Sequence, residues 1–481
     1  MLVAGVDSST QSCKILIRDA HTGELVRAGT AKHPDGTEVH PDHWWTALLE
    51  AIEKAGGLDG VVAMSVGGQQ HGMVVLDSNG EVIREALLWN DTRSADAAVD
   101  LIAELGEARG SGADDGARVW AEQMGTVPVA SITATKLRWL ADAEPENAAR
   151  VAAVALPHDW LTWKLAGGPA AGLDALATDR SDASGTGYFS TPRGEYDREI
   201  LDLALRRDTS DVLLPRVLAA NGEAGVTVEQ GPIPAGIKLG PGCGDNAGAA
   251  LGLEMGVGDV SISIGTSGVV AAVIGTPAAD PTGTLAGFAS ATDSFLPLAV
   301  TLNGSQTLDK MRELLNVDYA EFDRLALAGT PGAGGMTLVP YYQGERTPNL
   351  PRATASLLGM TLTGTTRENL ARAAVEGLLS ALADGMDAFV EQGLAVEKIL
   401  LIGGGAASVA VQQIAPEIFG QDVWIPEPGE YVANGAARQA AWLALGELPT
   451  WDVSNARKVS AGSQSEIREA YGKRRHLYVE Q

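Results

Sequence analysis

Short apolar runs broken by small polar turns alternate along this chain with longer stretches of helical periodicity. Residues 2–6 read as a buried strand, 7–12 as a polar turn, 14–17 as a second strand and 19–23 as the next turn. Strand-like runs continue over 65–77, and Ser78-Asn79-Gly80 is a hairpin-turn sequence. His40-Pro41-Asp42 introduces a helix, with Asp42 its expected N-cap. The opening pattern then recurs: 259–264 read as a strand, Gly265-Thr266-Ser267-Gly268 as a tight turn and 269–274 as the returning strand. Residues 399–402 run into Gly403-Gly404-Gly405-Ala406 and a helical stretch. A helix is predicted over 366–389, with Thr366 at its cap, Glu368 in its first turn and Leu370, Ala374, Leu378 and Leu382 on one face. Strands alternating with helices predict an α/β architecture, and the recurring hairpin predicts two units of one kind. The Gly- and Pro-rich stretch 231–244 is the expected boundary, giving domains 1–240 and 241–481.

A chain of 481 residues can bury two cores. The 35 Lys and Arg against 61 Asp and Glu give a formal charge of -26, which disfavours nucleic acid and anionic membrane as partners. No basic cluster offsets that field, so a neutral polar substrate fits better than an anionic one. The two cysteines, Cys13 and Cys243, argue against a disulfide framework and suit a reducing cytoplasm; they read as small space-fillers. The first residues lack the basic region of a signal peptide, and no apolar run reaches the length of a bilayer span. The expected location is cytoplasmic.

Two hairpin turns of small residues facing each other would clamp a phosphate chain, because bare backbone N–H groups approach phosphate oxygens closely. In the first turn Asp7 is placed to hold Mg²⁺ through water, Thr10 and Ser12 to donate to phosphate, and Lys14 to neutralise it. Gly265, Thr266 and Ser267 offer the matching cradle. Alone, each turn is ordinary hairpin sequence; their recurrence points to phosphate. In Gly242-Cys243-Gly244-Asp245-Asn246 an acid opens a helix of small residues. A kinase acting on an alcohol needs a carboxylate beside the attacking hydroxyl, and Asp245 suits that role; a helix N-cap is the other role open to it. Gln70 and His71 interrupt a strand, and Asn90 and Asp91 follow an apolar run, so both pairs can read sugar hydroxyls. Trp89 is expected in the core. Gly404, Gly405 and Ala406 could let an adenine or ribose lie against bare backbone, or could simply pack a helix on a strand. The polar and aromatic run 341–348 points to no particular chemistry by itself; an internal ion-pair network of the Glu345–Arg346 kind is its ordinary reading.

Together these motifs resemble the FGGY carbohydrate kinases, and within that family the members acting on D-xylulose. The likeness runs in order from Val3 to about Leu445. It rests on Gly-Gln-Gln-His-Gly at 68–72, Leu-Trp-Asn-Asp at 88–91, Gly-Asp-Asn at 244–246, Ile-Gly-Thr-Ser-Gly at 264–268, Gly-Glu-Arg-Thr-Pro at 344–348 and Ile-Gly-Gly-Gly-Ala at 402–406. The resemblance implies two actin-like (ribonuclease H-like) ATPase domains flanking a deep interdomain cleft, sugar held mainly by the first and nucleotide by the second. It implies ATP- and Mg²⁺-dependent phosphorylation, with Asp245 as base, Asp7 at the metal, and Gln70, His71 and Asn246 on the ketose. Ribulose, glycerol or gluconate are the alternative substrates. An actin-like chaperone or filament ATPase would share the phosphate turns but not the sugar-side loops. Three positions depart from many relatives: Ser9 stands at a frequent glycine, Gln70 at a frequent methionine, and His158 at a frequent lysine. A homodimer is the default expectation for such an enzyme.

Overall fold

Strand Leu2–Ser8 is buried along nearly its whole length, and its side chains divide between two cores with the period of two that a strand imposes. Ala4 and Val6 join one cluster with Trp44, Leu48, Ile52 and Trp160, whereas Val3 joins a second with Ala437, Ala440 and Trp451. The strand therefore lies inside a sheet covered on both faces. The computed structural model describes residues 1–451 and 455–480. It contains two compact units: Met1–Met255, Gly275–Leu296 and Glu430–Val453 in the first, and Gly256–Ile274, Pro297–Gly429 and Ser454–Gln481 in the second.

In the first unit Ser12–Asp19 pairs antiparallel with both Leu2–Ser8 and Leu25–Lys32, while Val61–Gly68 pairs parallel with the other side of Leu2–Ser8. Lys238–Leu239 and Cys243–Gly244 then add parallel to Val61–Gly68. Helix Asp42–Lys54 covers one face with Trp44, Leu48 and Ile52. Helix Tyr431–Leu445 covers the other so closely that a Cβ on Gly5 would lie 2.0 Å from the Ala433 carbonyl oxygen. The same helix meets helix Asp245–Gly252 at Gly435, where a Cβ would lie 1.9 Å from the Gly248 carbonyl oxygen.

The second unit repeats the plan. Gly268–Ala272 pairs antiparallel with both Asp259–Ile264 and Leu298–Thr301, while Lys398–Ile402 pairs parallel with Asp259–Ile264 and Val423–Ile425 follows parallel. Helix Arg367–Glu391 is capped as the sequence predicts, by the Thr366 side chain accepting from the Asn369 N–H. The α/β expectation and both hairpins hold.

Several local expectations differ. Asp42 is not the N-cap: Pro41 is already in the helical region (φ -54, ψ -28), so Asp42 becomes the first helical residue. Asp7 and Ser8 belong to strand rather than turn, because each is paired on both sides. The compact units are discontinuous, so one cut after residue 240 does not describe them. Cys243–Gly244 extends the first sheet and helix Asp245–Gly252 packs within the first unit, as does the late segment Glu430–Val453. Glu345 does not pair with Arg346 through its side chain. Its carboxylate accepts from the Leu302 N–H (2.6 Å), Asn303 Nδ2 (3.0 Å) and the Arg346 N–H (2.8 Å), bracing the loop after strand Leu298–Thr301.

Candidate active site

The C-terminal ends of the parallel strands in the first unit form one edge. Asp7 pairs with Gly67 and Ser8 with Gly68, and Cys243 and Gly244 pair with the same two glycines from the other side. Three chemically loaded segments thus meet: the Asp7 turn, the 68–71 turn and the start of the helix at Asp245. Open α/β sheets bind ligands at this edge, where backbone groups leave the ladder and side chains can converge.

Asp7 is buried, and its Oδ1 accepts from Ser9 Oγ at 2.8 Å. Lys14 Nζ stands 3.9 Å from its Oδ2 but lies 2.5 Å from Glu430 Oε2. Burial pushes Asp7 up to about 6, against the lowering effects of Ser9 and Lys14. Asp245 is the first residue of its helix, with Gly244 rather than Asp245 at the cap. Its Oδ1 accepts from the Asn246 backbone N–H at 2.7 Å and from Asn246 Nδ2 at 2.9 Å. Burial pushes it up to about 7, and the charge of Asp7 adds to the rise. Two carboxylates that each resist ionising thus lie at this sheet edge, and the charge of one acts on the other.

Gln70 and Asn246 are joined, Asn246 Nδ2 donating to Gln70 Oε1 at 3.1 Å. His71 adopts a left-handed backbone (φ 69) and sets Nδ1 2.7 Å from the Gly185 carbonyl oxygen, which makes Nδ1 the protonated nitrogen. Its ring packs on Phe288 with centroids 5.4 Å apart. Asn90 is half-buried, its amide 3.5 Å from the Gly36 carbonyl oxygen. Burial raises Asp91, but Arg93 outweighs it through its backbone N–H (3.0 Å) and Nε (2.8 Å), so this carboxyl lies below the usual range. Trp89 is not in the core: it is 45% exposed, and its indole N–H donates to Thr10 Oγ1 at 2.9 Å. Thr10 Oγ1 in turn reaches Gln69 Oε1 at 3.4 Å, so the 88–91 loop is tied to the Asp7 turn. Ser12 opens the second strand, and its carbonyl accepts from the Ser9 N–H at 3.1 Å, closing that turn. Cys13 and Cys243 are buried with thiols pushed up by burial, which keeps them protonated fillers.

In the second unit the Gly265–Thr266–Ser267 turn is closed by the Gly265 N–H donating to Ser267 O at 3.0 Å. It is braced by Gly304 and Ser305, whose N–H groups reach Thr266 O (2.9 Å) and Gly265 O (2.7 Å). Thr266 itself is exposed. Of the glycines after strand Lys398–Ile402, Gly405 is required by packing, since a Cβ there would lie 2.4 Å from Ile264 Cγ2. A Cβ at Gly404 would meet nothing within 4 Å, so its backbone is open; Ala406 is buried. Gly404 and Gly405 line a cavity of about 380 Å³ together with Leu308, Tyr319, Phe322 and Asp309. Apolar and aromatic walls with a few polar groups suit a flat nucleobase. The residues 305–323 that build it carry no local motif, and sequence reading found only the glycines; the apolar face of helix Tyr319–Ala328 is the signal that points there.

The first unit thus carries a sheet edge with paired carboxylates and amide-rich loops, and the second repeats the sheet and holds a cavity beside its glycine turn, an arrangement compatible with a phosphotransferase acting on a hydroxylated substrate. The chain belongs to the FGGY family of carbohydrate kinases: the family's N-terminal domain matches residues 2–252 and its C-terminal domain residues 260–444. It is an ATP-dependent sugar kinase. The xylulose kinase of Streptomyces coelicolor is 45% identical over 455 residues, covering 93% of this chain and 89% of that protein. The crystal structure of xylulose kinase from Bifidobacterium adolescentis is 51% identical and superposes with a TM-score of 0.92, over 99% of each chain. Plasmodium falciparum glycerol kinase with ADP shares the fold, with a TM-score of 0.84 at 18% identity over 100% of this chain and 98% of that one. Family membership sets aside the chaperone and filament readings.

Proposed function

We propose that the chain transfers the γ-phosphoryl group of ATP to D-xylulose, giving D-xylulose 5-phosphate, with Asp245 as the general base. The observation that carries this reading is the convergence of Asp245, Asp7, Gln70 and Asn246 at one sheet edge, with Asp245 pushed up to about 7. A carboxylate titrating near neutral pH can take the proton of a terminal hydroxyl as that oxygen attacks in line. Gln70, His71 and Asn246 read the ketose hydroxyls; Asn90 and Asp91 border them, Asp91 acting chiefly by holding Arg93. In the first unit Thr10, Ser12 and Lys14 are assigned to phosphate. In the second, Gly265, Thr266 and Ser267 are phosphate candidates too, and Gly404, Gly405 and Ala406 are assigned to the nucleotide, the two glycines lining the cavity there.

The donors at Asp7 fit magnesium: a buried carboxylate with hard oxygens, whose ionisation is disfavoured by burial and whose lysine neighbour is drawn toward Glu430. When bound there, magnesium would neutralise phosphoryl charge as it develops. Asp7 then orients that charge, Lys14 and the turn amides position the phosphates, and Asp245 holds and accepts the proton. Among the described residues no helix is long and apolar enough to cross a membrane. A cytoplasmic location, with free sugar and ATP as substrates, is part of the proposal. A homodimer is part of the same proposal, to be read by light scattering.

The test is ADP release by the full chain across D-xylulose, D-ribulose, glycerol and gluconate. The proposal expects the highest kcat/KM with D-xylulose; equal or higher values with another sugar would reassign the substrate while leaving the kinase chemistry intact.

A further inference from the structure

Beneath the two sugar-side loops lies a cluster of charge with no part in the chemistry above. His158 sits in helix Pro157–Leu165 and is wholly buried. Its Nε2 is 3.1 Å from Asp182 Oδ2, 3.3 Å from Asp159 Oδ1 and 3.6 Å from Asp179 Oδ1. All three carboxylates are buried as well. Asp159 Oδ2 accepts from the Leu156 N–H at 2.8 Å, and Asp179 accepts from the Ser181 (2.8 Å) and Asp182 (3.0 Å) N–H groups. Among the described residues, His158 is the cation facing Asp159 Oδ1 and Asp182 Oδ2. Burial opposes a charge on His158, but Asp159 and Asp182 outweigh it and hold the imidazole protonated well above its usual range. A buried acid cluster of this kind is costly without a cation, and removing that cation costs more than the pair contributes.

What the cluster touches gives it a role. The His158 ring stands directly under Gly242 (φ 82), where a Cβ would lie 2.3 Å from Nδ1, and the His158 backbone lies under Gly68. On the acid side, segment 179–185 bonds both working loops. The Gly244 N–H donates to Ser181 Oγ at 3.1 Å, and His71 Nδ1 to Gly185 O at 2.7 Å. We propose that His158, through Asp159 and Asp182, is a positioning residue that fixes the base-bearing 242–246 loop against the sugar-side 68–71 turn. His158 clamps helix Pro157–Leu165 to segment 179–185; Ser181 then sets Gly244, immediately before Asp245, and Gly185 sets the His71 ring. The inference rests on Asp245 being the base and deepens that reading.

The experiment compares wild type with His158→Gln, His158→Lys and Ser181→Ala in steady-state turnover of MgATP and D-xylulose, with thermal melts and metal analysis of each protein. A misplaced base costs rate rather than nucleotide affinity, so His158→Gln should lose about 10–100-fold in kcat while KM for ATP stays within about twofold. His158→Lys, which restores a cation, should recover most of the loss. Ser181→Ala removes one acceptor and should lower kcat with Tm unchanged, which decides the matter if His158→Gln fails to fold. Wild-type kinetics in both His158→Gln and Ser181→Ala would overturn the proposal. So would an equivalent of zinc in wild type that His158→Gln loses, since the cluster would then be a metal site. Wild type inactive on every sugar would overturn the functional reading itself, and the proposal with it.

Discussion

At Asp245 burial and the neighbouring charge of Asp7 act in the same direction, and the Asn246 bonds only partly oppose them. The carboxyl is raised to about 7, so below that pH it is protonated and cannot accept the sugar's proton. The acid limb of kcat/KM should therefore break near 7 and fall about tenfold per pH unit beneath it; a flat profile down to pH 5 would remove Asp245 from the chemistry. The same shift has a stability consequence. A carboxyl bound to its proton more tightly in the folded state than in the unfolded one destabilises the fold as pH rises from its ordinary range to about 7. Asp245→Asn should accordingly raise Tm at pH 8, with the gain shrinking toward pH 4; equal melts at both pH values would contradict the burial of that group. Asp7, Gln70, Asp245 and Asn246 stand out as candidates in the sequence because small residues surround them. An indole at the end of an apolar run looks like core, whereas the Trp89 N–H is engaged by Thr10, 79 positions earlier in the chain. His158 showed only as a departure from relatives, since two of its three acids, Asp179 and Asp182, reach it through tertiary packing.

Among the elements, glycine does two different jobs that one sequence pattern cannot separate. Gly5 and Gly435 allow helix Tyr431–Leu445 to lie directly on the sheet and on helix Asp245–Gly252. Gly435→Val should destabilise the protein by about 1–3 kcal/mol in urea melts, because backbone rather than a flexible side chain fills the space. Gly404 is open where Gly405 is not. Gly404→Ala should keep Tm and raise KM for ATP, while Gly405→Ala should lower Tm; the reverse order would remove the nucleotide role assigned to this turn. Hairpin existence was readable from alternation and turn chemistry, but the ends were not. Asp7 and Ser8 stay in strand because Gly67 and Gly68 pair with them from a distant segment, and Pro41 starts its helix one residue before the acid that sequence rules favour.

For the whole molecule, the repeated strand order in both units accounts for the recurring hairpin seen in the sequence. What local pattern could not show is that helix Tyr431–Leu445, late in the chain, completes the first unit and carries Glu430 to Lys14. The charge of -26 acts on the two substrates unequally. Between low and physiological salt, kcat/KM for MgATP should rise as repulsion is screened, while that for the neutral sugar should stay level. The central claim is that Asp245 takes the proton of the attacking hydroxyl, and turnover of D-xylulose by Asp245→Ala measured beside its ATP affinity tests it most directly. The account predicts a loss of about 10²–10⁴ in kcat with ATP binding nearly intact; a variant that turns over at the wild-type rate would contradict it.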